Sequence, residues 1–99
     1  MSDINEGLKR CRETPGAILV DLRDEEDYRE GHIPGAVNVL LQNLREAAEE
    51  MAEMDTPLFL YCYGGMRSFQ AEALLQAMGY QNALSIGGID RYKGELEEE

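Results

Sequence analysis

Cys62 closes an apolar run, Leu58-Phe59-Leu60-Tyr61, and is followed by Tyr63-Gly64-Gly65-Met66-Arg67-Ser68, with a helical pattern from Ser68 onward. This order predicts a thiol at the end of a buried strand, at the mouth of a loop that leads into a helix N-terminus. In an open α/β sheet, ligands bind in the crevice beyond the strand C-termini. A helix N-terminus and a nearby cation both favour thiolate over thiol. Backbone N–H groups of a tight loop can also form an anion-binding concavity. Gly64 and Gly65 relieve the steric ban on positive φ, so that such a loop can curl inward. Arg67 adds a cation, or else braces the loop or pairs with an acid at the sheet edge. Ser68 caps the helix or donates to a bound anion. The chemistry indicated is a nucleophilic cysteine acting on, or carrying, something anionic. The competing reading is an inert cysteine packed at a strand end, a common setting for free cysteine.

The elements that must position this loop follow from periodicity. Residues 17–22, Ala-Ile-Leu-Val-Asp-Leu, form a short continuous apolar run, as expected of a strand buried on both faces. A short strand at 36–39, the strand at 58–61 and a weaker last strand at 82–86 complete the β set. Ile4, Leu8 and Cys11 fall on one face of a helix over 3–12, with Asp3 and Glu6 at capping-box spacing. Cys11 therefore reads as a small core residue. Asp24 is positioned to cap a second helix with an acidic first turn, which Gly31 ends. Asn43 and Glu46 open a third, striped by Leu44, Ala47, Ala48, Met51 and Met54, the methionines serving as core filler. Ala71, Leu74, Leu75 and Met78 mark the helix after the loop, stopped by Gly79. Gly87-Gly88 predicts a turn into a final helix over 89–93.

Strands alternating with helices predict a three-layer α/β fold around a mainly parallel sheet, and right-handed crossovers place Cys62 at one sheet edge. The single histidine, His32, would have to reach Cys62 to act as a base; a hydrogen-bonded structural role is favoured. Asp21 and Arg23 read as a local ion pair or loop brace.

The 99 residues are read as one domain, 1–99, with an ordinary 43% hydrophobic content. No apolar run approaches the roughly eighteen residues of a membrane helix. The polar start Met1-Ser2-Asp3-Ile4-Asn5-Glu6 is unlike a signal peptide, which places the protein in the cytoplasm. Nine basic against twenty acidic residues give a net charge of −11, a poor match to nucleic acid or an anionic membrane. The acidic runs, including the tail at 95–99, read as solvated helix faces and a frayed end. Two cysteines without a secretory signal do not make a disulfide framework.

Beyond the loop itself, Leu19-Val20-Asp21-Leu22-Arg23, Gly31-His32-Ile33-Pro34-Gly35-Ala36-Val37-Asn38 and Gly87-Gly88-Ile89 occur in an order and spacing that resemble the rhodanese family of sulfurtransferases. The resemblance spans about residues 15–94. It implies the compact rhodanese fold, with a five-stranded sheet flanked by helices and no metal or organic cofactor. It implies that Cys62 takes the sulfane sulfur of thiosulfate or a persulfide and passes it to a thiol, cyanide or a protein cysteine, by covalent ping-pong catalysis. Backbone donors within residues 63–67 would stabilise the anion, as an oxyanion hole does. Tyr63, Gly64, Gly65, Met66, Arg67 and Ser68 are the implied substrate-binding set. Tyr63 stands where a basic residue is common, which puts a preference for thiosulfate in doubt, and Tyr92 where a tryptophan is common.

Two other readings remain beside it. A single domain of this kind can serve as a persulfide relay or docking module whose donor and acceptor are proteins. Cysteine-dependent phosphatases and arsenate reductases hold an oxyanion in a loop one residue longer between Cys and Arg. Here only Tyr63, Gly64, Gly65 and Met66 intervene, which suits a single sulfur atom better than a tetrahedral phosphate. A small acidic domain of this size is expected to be a monomer.

Overall fold

Strand β3 (Leu58–Cys62) is buried at all five positions and has a parallel neighbour on each side. The computed structural model describes residues 3–99. Met1 and Ser2, part of the polar N-terminal stretch, lie outside the described residues. Strand β1 (Ile18–Asp21) lies along one edge of β3, in register from Ile18 opposite Leu58 to Asp21 opposite Tyr61. Outside it pairs β2 (Val37–Asn38), and along the other edge of β3 runs β4 (Ala83–Gly88). The order is β2-β1-β3-β4 with every pairing parallel, which is why β1 and β3 read as continuous apolar runs.

Four strands form among the described residues, where the family resemblance implied five. The outer edge of β4 is instead satisfied by side chains. Glu72 Oε1 accepts from the Ser85 N–H at 2.7 Å, and Gln76 Nε2 donates to the Ala83 carbonyl at 3.0 Å. One turn apart on the same helix, these two side chains occupy the polar edge that a further strand would need.

The side-chain period of two sorts β3 between two cores. Leu58, Leu60 and Cys62 face α3 (Leu44–Met51) and α4 (Met66–Ala77), packing with Leu44, Ala48, Ala71 and Leu75. Phe59 and Tyr61 face α1 (Ile4–Glu13), packing with Ile4, Leu8 and Cys11. Cys11 is thus the core residue its spacing predicted. Asp3 caps α1 by accepting from the Glu6 N–H at 3.1 Å. Gly7 presses its backbone on β4, and a Cβ there would overlap Ile86 Cβ and Cγ2. Gly7→Ala gains about 1 kcal/mol of helix propensity but overpacks a β-branched core side chain. A net loss of about 1–2 kcal/mol is expected, read as a lower urea midpoint at unchanged slope.

Several local expectations are corrected. α4 begins at Met66, two residues before the predicted start, because Gly65 turns the chain at φ +105° and its carbonyl already accepts from the Phe69 N–H. Asp24 and Asn43 stand at the N-caps of α2 (Glu25–Glu30) and α3 without making the capping side-chain hydrogen bond. Met54 lies in the turn after α3, half exposed, and so off the apolar stripe. Gly87 and Gly88 belong to β4. The register steps from Leu60–Ser85 to Tyr61–Gly87, leaving Ile86 as the extra residue of a bulge, with Gly87 at φ +110°. The helix after it is a single 3₁₀ turn, Ile89–Arg91. At the other end of α4 the chain stops as predicted: Gly79 at φ +105° donates to Gln76, and Tyr80 to Leu75, the paired bonds of a Schellman cap.

The acidic tail is docked rather than frayed. His32 and Glu97 exchange both backbone hydrogen bonds (2.8 and 2.9 Å), and the Glu99 N–H donates to Arg29. His32 itself is buried, stacked on Tyr28 at 3.8 Å between ring centroids. Its Nδ1 lies 2.8 Å from the Tyr28 carbonyl, and its Nε2 faces the Glu97 and Glu99 carboxylates at 3.8 and 3.6 Å. None of these partners belongs to the Cys62 loop, so His32 serves the structure.

Candidate active site

The C-terminal ends of β1 and β3 are locked by one buried network. Asp21 takes Arg23 through Nη2 at 2.8 Å and through the Arg23 backbone N–H at 2.8 Å. Arg23 Nη2 also donates to the Gly31 carbonyl at 2.6 Å. Tyr61 donates its hydroxyl to Asp21 Oδ2 at 2.7 Å and accepts from the Ile33 N–H at 3.1 Å. Asn38 closes the set by donating to the Asp21 and Arg23 carbonyls. Asp21 and Arg23 are therefore the brace that the sequence suggested. Since Tyr61 directly precedes Cys62, the brace also fixes where β3 ends.

Burial pushes the Tyr61 phenol far above its ordinary value, helped by the bond to Asp21 and its charge; Ile33 and Arg23 act the other way. A raised value stabilises the fold fully below the ordinary phenol range, near pH 10, and the gain is lost as pH climbs from there towards the folded value. Stability should therefore fall above about pH 10, by up to ~1.4 kcal/mol per pH unit from this group. Urea unfolding across that range checks it, with Tyr61→Phe showing a shallower fall. Tyr28, raised by burial and then by Glu99, leaves a residual slope.

Beyond Tyr61 the backbone makes the loop. Cys62 is buried, with Sγ on the α4 side of the sheet. The Gly65 N–H donates to Cys62 Sγ at 3.0 Å. Gly65 is the residue that needs its freedom, at φ +105°; Gly64 is not at positive φ, which corrects half of the expectation for the pair. Gly65 is the N-cap of α4, so Met66 and Arg67 begin the helix with N–H groups that have no intrahelical acceptor. The sulfur therefore sits at the positive end of a three-turn helix and takes a direct backbone hydrogen bond.

Ser68 is fully buried behind the thiol and neither caps α4 nor faces outward. Its Oγ lies 3.7 Å from Cys62 Sγ, 3.0 Å from the Gly65 carbonyl it donates to, and 2.7 Å from Ser85 Oγ. It ties loop, sulfur and β4 together. Arg67 reaches Asp24 Oδ1 at 3.7 Å, with both side chains half or more exposed. The alternative in which it pairs with an acid is the one the structure adopts. Tyr63 and Met66 are exposed, and Gly64 has open space beside its Cα.

Three contributors were not assigned from sequence. Ser85 holds the Ser68 hydroxyl. Gly88 lies flush against the loop: a Cβ there would overlap the Tyr63 carbonyl oxygen and approach Gly64 Cα to 2.7 Å. Asp90 donates its N–H to that same Tyr63 carbonyl. Gly87-Gly88 was visible as a motif, but its task of receiving the loop needs the sheet pairing to be seen.

Among the described residues, no cluster of three or more His, Cys, Asp or Glu is placed to hold a metal, and no helix is long and apolar enough to cross a membrane.

A rhodanese-like domain model matches residues 5–95. Thiosulfate sulfurtransferase GlpE of Haemophilus influenzae is 40% identical over 76 residues, covering 76% of this chain and 71% of that protein. The crystal structure of the Alr3790 protein from Anabaena superposes with a TM-score of 0.84 at 27% identity, over 98% of this chain and 80% of that one. The human single-domain sulfurtransferase TSTD1 superposes at 0.73 and 26% identity, over 84% and 85%.

Proposed function

The chain belongs to the rhodanese-like domain family and is a sulfurtransferase of the rhodanese type, and from that premise we propose that Cys62 is the residue that carries the sulfur. The observation behind this is the Gly65 N–H aimed at Cys62 Sγ from 3.0 Å at the head of α4. The same donor, with the free N–H groups of Met66 and Arg67, stabilises a thiolate before transfer and a persulfide after it.

In the forward half-reaction the Cys62 thiolate attacks the outer sulfur of thiosulfate. The new S–S bond forms as the old one breaks, and sulfite leaves with the electron pair. In the second half an acceptor thiolate attacks the outer sulfur of the Cys62 persulfide. That sulfur moves to the acceptor and Cys62 departs as thiolate, with no net redox change. Ser68 Oγ accepts from the Cys62 thiol at 3.7 Å while donating its own hydroxyl to the Gly65 carbonyl, so it holds the sulfur and the loop in place together. No metal or organic cofactor enters either step. We place the reaction in a reducing, cytoplasmic setting, in which Cys11 and Cys62 stay free thiols.

The test is intact mass after incubation with thiosulfate, followed by peptide mapping. A gain of one sulfur, removed by reductant and located on the Cys62 peptide, is the expected result. A gain on the Cys11 peptide, or none even with a more reactive persulfide donor, would return Cys62 to a packed strand-end residue.

A further inference from the structure

Among the described residues six large apolar side chains are exposed, and three of them, Tyr63 (67%), Met66 (77%) and Phe69 (69%), fall within one seven-residue stretch around the thiol. Met66 and Phe69 line a hollow of about 510 Å³ that runs from Gly64 and Gly65 to Ser85 and Gly87. A second hollow of about 410 Å³ opens on the other side and shares Gly64 and Gly87 with the first, so the two meet at the tip of the loop. Together they make a trough along the loop that follows Cys62; Cys62 itself lines neither hollow, and each has far more room than a small sulfur oxyanion fills. Exposed aromatic and methionine side chains beside such a trough are the composition of a protein-binding surface.

Charge selects among occupants. The loop's own cation, Arg67, is directed to Asp24. The trough is lined by Glu72 on the α4 side and by Asp3 and Asp90 on the other, against the single base Arg91. Over the whole chain the net charge is −11. A free anion approaches against this field, whereas a basic segment is drawn in by it.

We propose that the acceptor taking sulfur from Cys62 is a protein cysteine on an extended segment bearing an apolar side chain and a Lys or Arg next to it. The apolar residue seats on Met66 and Phe69, and the base faces the acidic lining. The acceptor thiolate then reaches the outer sulfur at the loop tip, where the S–S bond to Cys62 breaks and Cys62 leaves as thiolate. The proposal rests on Cys62 carrying the sulfur.

The experiment first loads the full chain with thiosulfate and verifies one sulfur on Cys62 by mass. Single-turnover transfer is then timed to N-acetylcysteine, to acetyl-Leu-Lys-Cys-Leu-Lys-amide, to its Glu-for-Lys counterpart, and to benzyl mercaptan. The basic peptide should react roughly tenfold or more faster than N-acetylcysteine, the worth of one good aromatic anchor plus steering. The acidic peptide should show no such advantage. Phe69→Ser, at an exposed position the fold does not need, should shrink the ratio of basic-peptide to N-acetylcysteine rates severalfold. Equal rates for all thiols, an unchanged ratio in Phe69→Ser, or benzyl mercaptan matching the basic peptide would each overturn the docking site while leaving the Cys62 mechanism intact. Failure to load any sulfur would remove the mechanism, and the docking site with it.

Discussion

Cys62→Ser should transfer sulfur from thiosulfate at least about 10³-fold more slowly than the parent and gain no sulfur in mass. The substitution keeps the shape of the side chain and leaves the Gly65 N–H an acceptor, so its melting should stay close to the parent's. What it removes is the atom. A serine hydroxyl is not ionised near neutral pH and cannot form a persulfide. Cys11→Ala is the matched control, since Cys11 belongs to the α1 core on the opposite face of the sheet. Burial pushes its thiol up, partly opposed by Arg12, so it is a poor nucleophile as well as a distant one. The control should keep full transfer while losing some stability to the vacated volume. Residual transfer in Cys62→Ser that vanished in the double variant would assign the sulfur to Cys11.

The parts of this fold that local pattern determines were legible in the sequence. Leu58 to Cys62 is apolar at every position because the strand is covered on both faces, and that needs no knowledge of its neighbours. Cys11 could be read as core because Ile4, Leu8 and Cys11 share one helical face. The loop was legible because cysteine, glycines and arginine occur together before a helical stripe. Features set by distant partners were not. Arg67 could have turned to the loop or to an acid, and only the approach of the α2 N-cap to the first turn of α4 puts Asp24 within reach. Ser68 looked like a cap because the helix start was read two residues late; with Met66 as the first helical residue its hydroxyl turns inward to Ser85, seventeen positions away. The tail's glutamates read as solvated because their pairing with His32 crosses 65 residues of chain. The sheet edge shows the same limit. That Glu72 and Gln76 satisfy the outer face of β4 cannot be told from their one-turn spacing, which equally suits a solvated helix face.

Gly88→Ala is expected to cost about 10²-fold in transfer rate, although alanine suits the backbone there. Gly88 sits at φ −121° and ψ 143°, ordinary extended geometry, so no conformational penalty applies. The obstacle is space. A Cβ would overlap the Tyr63 carbonyl oxygen and lie 2.6 Å from Asp90 Oδ1 and 2.7 Å from Gly64 Cα, atoms held in place by the Asp90 N–H bond to Tyr63. Because two of the three are backbone-linked, they cannot swing aside as a side-chain tip would, and the loop must lift from β4. Lifting it draws the Gly65 N–H away from Cys62 Sγ, and a displacement of about 1 Å there is enough for a loss of this size. Overpacking should lower stability by about 1–3 kcal/mol, which thermal or urea unfolding measures separately. Gly64→Ala supplies the contrast. Nothing lies within 4 Å of its Cβ position and it is not at positive φ, so transfer should stay within a few-fold of the parent. If Gly88→Ala folds and transfers sulfur as fast as Gly64→Ala, the seating of the loop on β4 does not govern the reactivity of Cys62. The 3.0 Å hydrogen bond would then be a consequence of the fold rather than part of its chemistry.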